Sequence, residues 1–259
     1  MVLERSFVLL DRVGHHTERR IWDQGVRTWG DFLGQDRVSP FSRDRKALAD
    51  ETLAEAKRAM RDRASEFFAR RMTSRDAWRL YPTFSDDAVF LDIETTGLSR
   101  RSAITVVGLA RAGEFRALIR GQDLTRSELS RALGDAKLIV TYNGASFDLP
   151  MLRSHFQVPE LEIPHLDVRY VAHRVGLVGG LKRIERELGL VRDREFAMMT
   201  GEDAVHLWHL WERKRNQRAL DLLLRYNQAD VVNLRDVADI ICGLATERTF
   251  PRQGTDALP

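Results

Sequence analysis

Residues 88–94 of the chain, AVFLDIE, form an apolar, β-prone run that ends in two acids separated by one residue. Side chains alternate along a strand, so Asp92 and Glu94 share one face while Leu91 and Ile93 share the other. Two neighbouring carboxylates at the end of a buried strand are costly unless something positive neutralises them. The strand must therefore deliver them either to solvent, as ordinary acids at a fraying end, or to a crevice that collects cations. A bare D-x-E is usually the former, so the decision rests on what the rest of the chain brings to this point. The residues that follow, Thr95, Thr96, Gly97 and Leu98, read as a turn where backbone approaches a ligand closely.

Two further segments bear on that choice. In VTYNGASFDLPML a strand leads into Asn143, Gly144, Phe147 and Asp148, with Asp148 near the start of a helix. An acid there also suits the helix macrodipole, an ordinary role for such a residue. In the last long helix, LLLRYNQADVVNL sets Tyr226 and Asp230 four residues apart, on one helical face. Leu222, Leu223, Val231 and Leu234 surround them with apolar character, so Asp230 is expected to face a cation or a hydrogen-bond cluster.

Taken in order, FLDIETTGL, YNGASFD and YNQAD resemble the three motifs of the DEDD superfamily of 3′–5′ exonucleases on the ribonuclease H-like fold. Histidine-type relatives carry their histidine five residues before the last aspartate. Arg225 stands there, and the resemblance is to the tyrosine subclass. HLDVRYVAHR, GGLKRIERELGL, GEDAVHLW and RYNQADVVNL are more narrowly similar to bacterial YprB-type ribonuclease H-like proteins. The resemblance covers about residues 87–242 and implies a two-metal-ion hydrolase acting at the 3′ ends of single-stranded DNA or RNA. Hard divalent ions, Mg²⁺ or Mn²⁺, suit carboxylate oxygens and a phosphodiester substrate. By this resemblance Asp92 bridges both ions, Glu94 and Asp230 complete the water-activating site, and Asp148 holds the second ion. Tyr226 orients the attacking water. The backbone at Thr95, Thr96 and Gly97, with Leu98 as a wedge, holds the terminal nucleotide, and Asn143 and Phe147 contact the one before it.

The remaining patterns organise the chain. AVFLDIE, AITVVGLA and EFRALIR read as three clustered strands; helices then alternate with LIVTYN and HLDV as strands. The expected fold is α/β, a mixed ribonuclease H-like sheet flanked by helices over residues 85–245. Residues 1–84 read as a small all-helical region, and 246–259 as a disordered polar tail. In the first region Thr17 is read as a cap for TERRIWDQ, Thr28 and Asp31 as a capping box, and residues 44–72 as one amphipathic helix carrying Leu53, Met60 and Phe67. LLDRVGHHTERRIWDQGVRTWGDFL resembles a helix–hairpin–helix element, with Arg12 where a hairpin glycine is usual. A DNA clamp and a purely structural copy both stay open. Arg12, His15, His16, Arg19 and Arg20 form a basic patch in either case.

Composition excludes some classes and permits others. No apolar run approaches the ~20 residues of a membrane span, and the single Cys242 excludes a disulfide framework, so the expected location is cytoplasmic. The net charge is only +3, yet 36 of the 41 basic residues are arginine, whose planar fork suits phosphate. Residues 1–84 carry 17 basic and 13 acidic side chains, the remainder 24 and 25, four of the latter being the candidate ligands. Other conspicuous residues read as structural. His165 and Asp167 suit a strand edge, Trp208 and Trp211 a core stripe beside His206 and His209, and Lys182, Arg183 and Arg186 a solvated face. Two other readings remain: an endonuclease or resolvase on the same fold, and a non-catalytic nucleic-acid-binding protein.

Overall fold

The computed structural model describes residues 1–97, 99 and 101–250. Five strands form one sheet in the order β3-β2-β1-β4-β5: β1 (Ala88–Thr95), β2 (Ile104–Arg111), β3 (Glu114–Ile119), β4 (Leu138–Thr141) and β5 (His165–Asp167). The first three are antiparallel neighbours; β4 and β5 run parallel to β1. This is the mixed α/β sheet that the strand pattern predicts.

Alternation along the strands sorts the two faces. Val89, Leu91 and Ile93 of β1 and Val107 and Leu109 of β2 pack beneath helices Arg126–Leu133 and Asp148–Phe156. The opposite face, carrying Phe90, Val106, Gly108 and Ala110, lies against the terminal helix, Gln217–Thr249. At ~1.5 Å per residue that helix is roughly 50 Å long. Its length lets one end serve the carboxylates while the other reaches the amino-terminal region.

Residues 1–84 share a core with the sheet. Leu3, Phe7, Trp29, Phe68, Trp78 and Phe84 belong to one apolar cluster with Phe90, Leu138, Leu166, Val237 and Ile241. Inside it, Arg79 makes a bidentate pair with Glu18 at 2.7 and 2.9 Å, both side chains almost fully buried.

Several local expectations change. The cap of helix His15–Asp23 is Gly14, not Thr17, whereas the Thr28–Asp31 capping box forms as read. Arg12 adopts the left-handed conformation, φ 57°, that a hairpin glycine would supply. What precedes it is only a 3-10 turn, Leu3–Arg5, so the helix–hairpin–helix resemblance does not extend to a full first helix. The amphipathic helix ends at Arg61 instead of continuing to Thr73. Arg63 turns left-handed at φ 56°, and Ala64 N–H reaches back to Ala59 O at 2.8 Å, a Schellman-type stop. The Arg63 guanidinium then donates to Thr83 O and pairs with Asp87, which fixes the reversal and lets Phe68 enter the core. At the other end the helix continues past residue 245 to Thr249. Phe250 is buried against Trp22 and Trp78, so order extends into the first residues read as tail. Residues 251–259 lie outside the described residues.

Candidate active site

β1 runs past the end of β4. Its pairing with β4 stops at Phe90↔Val140, while its pairing with β2 continues to the bulge between Glu94 and Thr95. The final residues of β1 therefore border a notch, and helix Asp148–Phe156 closes one side of it. Asp148 Oδ1 accepts from Ile93 N–H at 3.2 Å, occupying a backbone donor that β4 is too short to reach.

The terminal helix closes the other side. Its close approach depends on Gly108, the β2 partner of Asp92. A Cβ at that position would sit 1.8 Å from Asn227 Oδ1. With no side chain there, the fully buried Asn227 lies against β2 and directs its amide at both acids: Nδ2 donates to Asp92 at 2.9 Å and to Glu94 at 3.5 Å. One turn on, Asp230 joins them. Carboxylate oxygens of Asp92, Glu94 and Asp230 lie within 4.8 Å of one another, a donor set able to hold a metal ion. Asp148 lies outside this group of three but close enough to raise the Asp92 pKa.

The electrostatics describe a pit short of positive charge. Burial, then Asp148, Glu94 and Asp230, push the Asp92 carboxyl well above the usual carboxylate range. Burial first and Asp230 next push Glu94 up to about 8, and burial pushes Asp148 up to about 7. Asp230 is also raised, because its burial outweighs the attraction of Arg192. Buried oxygens that resist ionisation together are what a hard divalent cation would relieve. The donor set fits such an ion.

Arg192 supplies the protein's own countercharge. Its side chain is 5% exposed; it pairs with Asp230 at 2.5 Å and forks onto Glu185 at 2.7 and 2.8 Å. Nothing in the local pattern VRDRE marked it, because Glu185 lies seven residues back and Asp230 thirty-eight residues on. Asn227 was equally unmarked inside YNQAD. Lys182 differs from its expected solvated role: half-buried, it places Nζ 4.5 Å from the Tyr226 ring centroid and bonds to Met199 O. Arg183 and Arg186 remain exposed, as read. Tyr226 is 7% exposed and packs edge-on to Phe196. Burial, then Asp230 and Glu94, raise its phenol above the ordinary value, which favours the neutral hydroxyl in the metal-free fold.

The flanking residues hold the loops. Thr95 Oγ1 donates to Gly97 O at 2.6 Å, and Thr96 Oγ1 accepts from Ala103 N–H at 3.0 Å, so both threonines brace the turn after β1. Leu98 lies outside the described residues. Asn143 is left-handed, φ 67°, its side chain taken by Arg169 at 2.5 Å and Ser146 at 3.2 Å. Phe147 packs partly into the core beneath β1. Asp167 accepts from the N–H groups of Asn143 and Ala145 and fixes that loop. His165 meets Thr141 at 2.8 Å, and burial pulls its pKa down to about 4. Both are structural, as their positions suggest.

A family model described as RNase_H_2, of the RNase_H superfamily, matches residues 89–242. The chain belongs to the RNase H superfamily. That span runs from β1 through the carboxylate-bearing stretch of the terminal helix, so the match contains all four acids. Bacillus subtilis YprB, described as an uncharacterized protein, is 27% identical over 166 residues, covering 56% of this chain and 39% of that one. The chain thus spans well under half of that curated relative. Among solved structures, a family B DNA polymerase from the hyperthermophilic archaeon Pyrobaculum calidifontis shares the fold at a TM-score of 0.50 and 18% identity. The likeness covers 63% of this chain and 26% of the polymerase. RNase H-like nucleases use divalent metals, and the three gathered carboxylates are where this chain can offer such an ion its ligands. No helix among the described residues is long and apolar enough to cross a membrane.

Proposed function

We propose that this RNase H-like protein is a metal-dependent 3′–5′ exonuclease that removes nucleotides from single-stranded DNA or RNA. The observation carrying this reading is the convergence of Asp92, Glu94 and Asp230 on one point, with Asp148 beside them and Tyr226 one helical turn from Asp230. Asp92, Glu94 and Asp230 would hold one divalent ion, Mg²⁺ or Mn²⁺, and Asp92 with Asp148 a second. Such ions supply an activated water and neutralise charge on the phosphate and departing oxygen.

The chain's own groups then have separable tasks. Asn227 aims the Asp92 and Glu94 carboxylates by donating to both. Arg192 holds Asp230 in place and removes one unit of repulsion from the cluster. Tyr226, neutral and fixed by Phe196, has a hydroxyl that can orient water without acting as a base. Lys182, close enough for Asp230 and Glu94 to act on its charge, is placed to meet a phosphate entering the pit. The backbone at Thr95, Thr96 and Gly97, with Leu98 in the role the motif implies, would bind the terminal nucleotide, and Asn143 and Phe147 the preceding one. For Asn143, the Arg169 contact would have to be shared or exchanged.

The test uses 5′-labelled single-stranded DNA and RNA and a closed circle, with Mg²⁺, Mn²⁺ or EDTA. The expected result is a ladder shortening from the 3′ end, dependent on metal, with the circle intact. Asp92→Asn and Asp230→Asn should abolish it. Cleavage of the circle would replace the reading by an endonuclease; binding without cleavage, in every metal, would refute catalysis.

A further inference from the structure

A cavity of about 690 Å³ opens far from the carboxylates, between the amino-terminal helices and the last turns of the terminal helix. Arg248 on its rim is eighteen residues beyond Asp230 on one helix, so the two sites are roughly 27 Å apart along it. The volume falls within the ~300–1,000 Å³ usual for small-ligand pockets.

Its lining is strongly cationic. Arg5, Arg19, Arg27, Arg174 and Arg248 all border it, and none has a carboxylate partner among the described residues. Of the two acids on the wall, Glu18 is spent on Arg79, which leaves Asp23. The guanidiniums also crowd one another: burial and then the neighbouring Arg27 lower the Arg5 pKa. Arg27 Nε is buried with no hydrogen-bond partner among the described residues. A charged fork with one nitrogen buried and unpaired is costly, and an anion held by the partly exposed guanidinium would offset that cost. Aromatic rings complete the wall. Trp22 stands edge-on to Phe250 at 5.2 Å, held by its indole N–H on Arg5 O, and the Arg5 guanidinium lies 4.6 Å above the Phe250 ring.

Forked cations match phosphate oxygens in pairs, and a half-buried tryptophan offers a face to a planar base. We propose that this cavity is a second ligand site, one that binds the phosphate groups of a nucleotide, free or within a strand. The site does not depend on the nuclease reading, since it shares no residue with the carboxylate cluster.

The test is calorimetric titration of the full-length chain, in EDTA, with pyrophosphate, ADP and a short oligothymidylate. EDTA keeps metal-assisted binding at the carboxylates out of the measurement, so an inactive enzyme would leave this result unaffected. The expected result is saturable binding that weakens with added salt. Arg5→Met and Arg27→Met should each weaken it about tenfold or more, as expected for losing a charged hydrogen bond of ~1.5–3 kcal/mol. Arg120→Met, on an exposed distant residue, should leave it unchanged. Arg248→Met, on an exposed rim residue, serves as a second variant if the inner ones lower the melting temperature. Binding of ADP and pyrophosphate would identify a free nucleotide; binding of the oligonucleotide alone would identify the strand. Binding of none of the probes, or binding indifferent to Arg5, Arg27 and Arg248, would overturn the proposal.

Discussion

Gly108→Ala is the most exacting test of how the two halves of the candidate site are joined. An added Cβ would meet Asn227 Oδ1 at 1.8 Å, Asn227 Cγ at 2.8 Å and Val231 Cγ2 at 3.1 Å. Asn227 is fully buried between β2 and the acids, and moving it away from the new methyl would break its bond to Asp92. Overpacking of this kind costs ~1–3 kcal/mol, and displacing the amide leaves its buried partner on Asp92 unsatisfied, a further ~1–3 kcal/mol. The sum is about 2–6 kcal/mol, which lowers Tm by roughly 4–24 °C in a chain of this size. The assay is a double-mutant cycle followed by thermal and urea unfolding. Asn227→Ala removes the atoms the new methyl would strike, leaving only the Val231 contact to give by a few tenths of an ångström. The double variant should therefore cost little more than Asn227→Ala alone, a coupling nearly as large as the Gly108→Ala cost itself, roughly 2–6 kcal/mol. If the two single effects add within about 0.5 kcal/mol, the close approach of helix and strand is wrong.

Other expectations follow from the same geometry. Glu94 and Asp148 titrate near 8 and 7 in the metal-free fold, above their ordinary values, so the folded state holds protons that the unfolded chain has released. In EDTA their penalty is absent in acid, grows from about pH 4 and is complete above about pH 8, so Tm should fall from pH 6 to 9. Mg²⁺ or Mn²⁺ should raise Tm, most at the alkaline end, and release protons on binding; a pH-independent melt in EDTA would contradict the buried cluster. Arg192→Met leaves Glu185 and Asp230 without their countercharge and should cost ~3–5 kcal/mol in urea unfolding, with Arg192→Lys recovering part of it. Glu18→Gln breaks the buried pair with Arg79 and should lower the midpoint of a single unfolding transition followed by both tryptophan fluorescence and far-ultraviolet dichroism. Separate midpoints for the two probes would mean that residues 1–84 unfold on their own.

The sequence was most legible where chemistry and periodicity coincide. β1 with its paired acids, and the Tyr226–Asp230 spacing on an apolar helix, need only local rules. The fold class follows from strand clusters and helical repeats, and the sheet has the expected strands. What local rules miss are partners chosen by tertiary approach. Asn227 and Arg192 are ordinary polar residues until the terminal helix lies across β2, and Gly108 reads as a minor weakness in a strand until its empty face is seen to admit that helix. The stop at Arg61 has the same origin. The left-handed Arg63 just beyond it is unfavourable locally and is held by Asp87, twenty-four residues away.

The continuous apolar cluster has a practical consequence for anyone who trims this protein. The span that places it among its relatives begins at residue 89, but the apolar cluster it shares begins at Leu3. Cut at the family boundary, the chain would lose Leu3, Phe7, Trp29, Phe68, Trp78 and Phe84 from the cluster that also holds Leu138, Leu166 and Ile241, and that flank would lose apolar cover. Kinship and packing draw different borders on the same chain, and it is the border of the apolar cluster that a truncation must respect.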